Sequence, residues 1–107
     1  IIAVKATVPL NANGTVNIGA AIPAGATVLS VKAKVVTADT AAVLSVGKAG
    51  STAAYMDDVE NDAQSAGMYM AETFVTEAAA TQIIATVSSS SLTGTGSAEV
   101  IVQYQLA

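Results

Sequence analysis

Histidine, cysteine, tryptophan and arginine are all missing from this 107-residue sequence. Without histidine there is no side chain whose ordinary pKa lies near neutrality, and without cysteine there is no thiolate nucleophile, disulfide or soft-metal site. Without arginine there is no planar fork to clamp a phosphate or carboxylate. The usual nucleophile–base pairs cannot be assembled, so neither an enzyme activity nor a small-molecule substrate or cofactor is expected. One phenylalanine and three tyrosines leave few platforms on which a base or a sugar ring could stack. Charge is scarce as well: 11% of residues are charged, where about 25% is usual for a soluble domain.

The four cations are all lysines, and with eight carboxylates they give a net charge of -4. A polyanion is repelled by such a chain, so nucleic acid is not an expected partner. No run approaches the roughly 18 uninterrupted apolar residues of a membrane span. The sequence is 52% hydrophobic, but alanine supplies 23 of those residues and Val, Ile, Leu, Met and Phe only 30. A surface so poor in charge consists either of Ala, Ser, Thr and Gly or of area covered by other chains. A small core without disulfides or metal favours the second, namely oligomerisation.

Fourteen valines, twelve threonines and seven isoleucines, with apolar residues recurring at a period of two, indicate an all-β chain. Ile2, Val4, Ala6 and Val8 share one face of a first strand, or N-terminal arm, over residues 1–8, ended by Pro9. Asn11-Ala12-Asn13-Gly14 and Ile22-Pro23-Ala24-Gly25 read as turns. Strands are expected at Thr15 to Ile18, at Ala26 to Thr37 with Leu29, Val31, Ala33 and Val35 on one face and Ser30, Lys32 and Lys34 on the other, and at Val43 to Gly47. Others fall at Thr81 to Val87 and at the chain end, with Val100, Val102, Tyr104 and Leu106 on the apolar face; Thr73 to Val75 is a short candidate. Ser88 to Ser97 reads as a hairpin loop. Residues 55–74 form an irregular excursion. Seven or eight short, mostly antiparallel strands at this spacing indicate one domain over residues 1–107, a β-sandwich or jelly roll.

The excursion holds the residues that invite a functional reading. Asp57, Asp58, Glu60 and Asp62 put four carboxylates within six residues, but without the spacing of an EF-hand, so a solvated acidic loop is expected rather than a metal site. Glu72 and Glu77 resemble a glycosidase carboxylate pair only in number, because aromatic platforms are missing. Ser88 to Ser91 have no base to activate them, and Gly94-x-Gly96 is not followed by the Lys-Ser/Thr of a phosphate loop. Tyr55, Met56, Met68, Tyr69, Met70 and Phe74 are the sharper signal. Methionine and tyrosine are enriched where flexible apolar contact is made with a partner, and equally they supply the volume that an alanine-rich core lacks. They are either oligomer or capsid contacts or plugs of the sandwich core.

The ordered set Thr15-Val16-Asn17-Ile18, Ile22-Pro23-Ala24-Gly25-Ala26-Thr27-Val28, the long strand to Val36-Thr37-Ala38, Leu44-Ser45-Val46-Gly47, and the ending Leu92-Thr93-Gly94-Thr95-Gly96-Ser97-Ala98-Glu99-Val100-Ile101-Val102-Gln103-Tyr104 resembles a family of small tailed-phage virion proteins. The first seven residues stand outside that pattern. The resemblance implies a head decoration or cement protein, or a related fibre domain, built as a β-sandwich or jelly roll and assembled as a homotrimer. It implies no catalytic residues, a virion location and the major capsid protein as partner. A tail-fibre or spike domain is the alternative within virions, and a carbohydrate- or host-surface-binding module the alternative outside that class.

Overall fold

The computed structural model describes residues 1–10, 13–39, 41–88 and 96–107. The expected Asn11 to Gly14 turn falls partly, and the Ser88 to Ser97 loop with Gly94 mostly, outside the described residues. Among those described, eight strands form: β1 (Ile2–Pro9), β2 (Gly14–Asn17), β3 (Thr27–Thr37), β4 (Val43–Lys48), β5 (Ser51–Met56), β6 (Gly67–Thr76), β7 (Ile84–Ser88) and β8 (Ser97–Gln105). They make two four-stranded sheets, a first in the order β1-β8-β3-β6 and a second in the order β2-β7-β4-β5. The pairings are antiparallel throughout. β1 pairs with β8, β2 with β7, β3 with β6 and β4 with β5, as if one long antiparallel ribbon had been rolled up so that its rungs fall alternately in two sheets. That connectivity is the jelly roll, which settles the choice left open by strand counting.

Both sheets turn their apolar side chains inward. Val8, Val28, Val31, Val35, Val100 and Val102 of the first sheet meet Leu44, Val46, Ala85 and Val87 of the second, with Leu10, Ile18, Ile22 and Ile83 from the connections. Alanines such as Ala33, Ala71 and Ala98 sit in this core beside larger partners, so the volume they fail to fill is supplied by Tyr55 and Met56, which are 2% and 0% exposed. Alternation along β8 is clean from Ala98 to Tyr104.

Four local readings are revised. In β3, the register against β8 shifts between Val28 and Ser30, leaving Leu29 as an extra residue. This bulge lets Val28 and Val31, three apart, both face the core, while Leu29 is only half-buried. Leu106 lies beyond the end of β8 and is exposed. The strand expected from Thr81 begins at Ile84, although Thr81 bridges to Ile22 before it.

The irregular stretch is also shorter than residues 55–74. β5 runs through Met56, and β6 occupies ten residues from Gly67, so the break is confined to residues 57–66. β6 hides its period because both of its faces carry apolar groups: Tyr69, Ala71 and Val75 point inward, while Met68, Met70 and Phe74 point outward. A strand with that composition shows no polar–apolar alternation.

Two glycines are dictated by geometry. The Ala26 N–H donates to the Pro23 carbonyl, and Gly25, at the third position of that turn, takes φ +86°, the conformation a type II turn requires there. Gly47 is buried where β4 meets β5, and a Cβ there would overlap the carbonyl groups of Ser51 and Thr52.

Candidate assembly surface

β6 is an edge strand, hydrogen-bonded to β3 on one side only. Its outward residues begin a surface whose rows follow from the sheet register. One row reads Thr7, Glu99, Lys34, Met68; the next Lys5, Ile101, Lys32, Met70; the third Ala3, Gln103, Ser30, Glu72. Directly opposed residues in such rows stand about 5 Å apart, so each row is a line of touching neighbours. Within the third, the Ser30 hydroxyl donates to the Gln103 Oε1 at 2.9 Å. Phe74 follows on the same side of β6 beyond Glu72.

The exposures are high for such side chains: Met68 69%, Met70 55% and Phe74 81%. Three of the four lysines lie on this face, Lys5, Lys32 and Lys34, against two carboxylates, Glu72 and Glu99. That is a local balance of +1 on a chain of net charge -4, which leaves -5 elsewhere. A long edge strand without proline, carrying exposed methionine and phenylalanine, is the kind of surface on which chains associate.

The six sequence-selected residues therefore separate. Tyr55 and Met56 are core side chains. Tyr69 is half-buried, and its hydroxyl donates to the Ser65 carbonyl at 2.9 Å. Met68, Met70 and Phe74 stand outside. The core-plug reading describes the first pair, whereas the last three are exposed side chains of the protomer. Sequence reasoning did not reach the lysines as part of the same surface; their spacing on β3, paired with the outward residues of β6, was the available signal.

The segment between β5 and β6 is a compact acidic turn. Asp57 caps a single turn of 3-10 helix, Asp58–Glu60, by accepting from the Val59 N–H at 3.3 Å, and Glu60 reaches back to accept from the Asp57 N–H at 2.9 Å. Asn61, buried, donates to the Leu44 carbonyl at 2.8 Å and so pins this turn to β4. Asp62 accepts from the Gln64 N–H. The carboxylates serve backbone groups, and among the described residues no three acidic side chains gather as a metal-binding cluster. The Asp57 carboxyl is held below its ordinary pKa by a hydrogen bond from Asp58, then by the Val59 N–H. Asp58 is raised by the same shared hydrogen bond. Val59, at the apex, is 86% exposed.

Glu72 and Glu77 do not form a pair. Glu72 is on the outer face of β6, whereas Glu77 is 5% exposed and receives both hydrogen bonds from the Lys48 Nζ, at 2.8 and 2.6 Å. That contact holds the Glu77 carboxyl below its ordinary pKa, against the opposing effect of burial. Burial, followed by the charge of Glu77, pushes the Tyr55 pKa up. An open cavity of about 350 Å³ beside Lys48 is lined by Lys48, Ala49, Ala80, Thr81 and Gln82. Its one charged group already serves Glu77, and no aromatic ring lines it.

No protein-family model matches this sequence, and no curated protein matches it significantly. Solved structures do share its fold. A chain of the cyanophage Pam1 capsid asymmetric unit superposes with a TM-score of 0.71 at 23% identity, covering 99% of this chain and 84% of its own length. A chain of the acidic stable capsid structure of Helicobacter pylori bacteriophage KHP30 superposes with a TM-score of 0.74 at 19% identity, covering 99% of this chain and 88% of its own. At such identities the likeness is one of fold, and it extends over nearly the whole jelly roll.

Proposed function

We propose that this chain is a non-enzymatic bacteriophage virion protein that decorates the capsid and stabilises it by binding its outer surface as an oligomer, a homotrimer in the simplest case. The observation that carries the reading is the exposed line of Met68, Met70 and Phe74 along the unpaired edge strand of a jelly roll. Large apolar side chains gathered on one exposed edge mark an association surface. Two chains of the same fold come from phage capsid structures, which supports a place in the virion. The physical logic is avidity: modest apolar contacts repeated by symmetry add up across a particle without any one strong site.

The test is to add purified protein to heads assembled without it and follow both binding and resistance to heat or low ionic strength. Saturable binding at a stoichiometry set by the capsid lattice, with increased resistance, is the expected result. Heads that neither bind the protein nor gain resistance, with the protein found instead at a few copies on the tail, would replace decoration by a fibre role.

A further inference from the structure

The two most distinctive surfaces of the chain are complementary to each other. The outer face of the first sheet is apolar and lysine-bearing; the turn between β5 and β6 is acidic with an apolar apex. Lys5, Lys32 and Lys34 make no ion pair among the described residues, where the one salt bridge joins Lys48 to Glu77. Asp57, Asp58, Glu60 and Asp62 make none either. One protomer thus carries charges of both signs outside ion pairs, on two surfaces it does not join to each other.

We propose that the acidic turn of one copy, with Val59 at its apex, docks on the Lys5–Lys32–Lys34 and Met68–Met70–Phe74 face of a second copy. This inference rests on the oligomeric part of the proposed function and names its contact. Charge complementarity selects a second copy as occupant. The face has a balance of +1, and this chain itself supplies an acidic partner around an exposed valine. The turn is prepared for the task, since the capping box and the Asn61 anchor fix it before contact and reduce the ordering cost of association. The receiving face is adaptable, since methionine side chains reshape around an incoming apolar group. Glu72 and Glu99 on that face set the register by repelling an acidic turn placed over them. Turn and face are different patches, so the contact either forms twice across a two-fold, each turn on the other copy's face, or repeats head-to-tail around a ring.

Charge reversal tests it. Asp58 is the chosen acid, because its reversal leaves the capping box intact; Lys34 is the chosen base, because it is exposed and opposite Met68. K34E and D58K, each folded by circular dichroism, should weaken self-association about tenfold or more by sedimentation equilibrium. The K34E/D58K chain should regain most of that loss, and wild-type association should weaken with salt. Val59→Ser provides a neutral variant that should also weaken association. If the wild type is monomeric, or if both reversals leave association unchanged, or if the double reversal does not recover it, the turn-on-face contact is wrong. A K34E protein that stays oligomeric yet no longer binds heads would overturn this contact while leaving capsid decoration standing, with the capsid as the occupant. A protein that assembles as described but never binds heads would keep the contact and remove the decoration role.

Discussion

Replacing Met68 and Met70 together by serine separates what these residues do for the fold from what they do between chains. A fully buried methionine contributes about 1.5–3 kcal/mol. In the protomer Met68 is 69% exposed and Met70 55%, so roughly a third of the first side chain and under half of the second are already out of water. The protomer should therefore lose only about 1–2 kcal/mol. Covering the exposed remainder in an interface is worth about 2–4 kcal/mol per contact, so association should weaken roughly 30- to 800-fold. Met56, at 0% exposure, is the contrast: Met56→Ala should cost the fold about 2–5 kcal/mol, in the manner of other core truncations. Chemical denaturation under monomeric conditions measures the first quantity and sedimentation equilibrium the second. If the double serine variant leaves no soluble folded protomer, Met68 and Met70 are core plugs and the surface assignment is wrong. If it associates as tightly as the wild type, the outer face of β6 is not a contact.

Two further predictions concern the interior. Lys48→Met leaves the Glu77 carboxylate buried without its cation and should cost about 1–3 kcal/mol at neutral pH by denaturant unfolding. Because the folded pKa of Glu77 is depressed, its stabilisation is complete above the unfolded pKa and fades as pH falls through the folded value. The gap between variant and wild type should accordingly narrow on acidification; a gap constant with pH would mean that the pair does not act as an ion pair. Thr86→Val removes a buried hydroxyl that has no hydrogen-bond partner among the described residues and should leave stability unchanged or raise it by up to about 1 kcal/mol, whereas a clear loss in thermal unfolding would reveal a partner for that oxygen.

The sequence revealed strands wherever one face of a strand is wet. β8 and the part of β3 from Val31 to Val35 alternate cleanly because Lys32, Lys34, Glu99 and Gln103 mark the outer side. Of β6 only Thr73 to Val75 read as a strand candidate, because Met68, Met70 and Phe74 put large apolar groups where polar ones mark the outer face of an ordinary strand. A strand with apolar side chains on both faces loses its period of two. β5 was missed for the opposite reason, since Ser51, Thr52 and Ala53 are all exposed and its apolar weight arrives only at Tyr55 and Met56. The bulge at Leu29 depends on register against β8, a property of two strands at once, and no reading of β3 alone contains it. Likewise the lysines of β1 and β3 became part of the candidate surface only once β8 was seen to lie between them.

Imaging the intact particle by electron cryomicroscopy tests the central claim most directly. The account predicts density for this jelly roll repeated over the outside of the head, with the face bearing Lys32, Met68, Met70 and Phe74 covered by a neighbouring chain. Its absence from the head, or its presence at low copy on the tail with that face open to solvent, would contradict it.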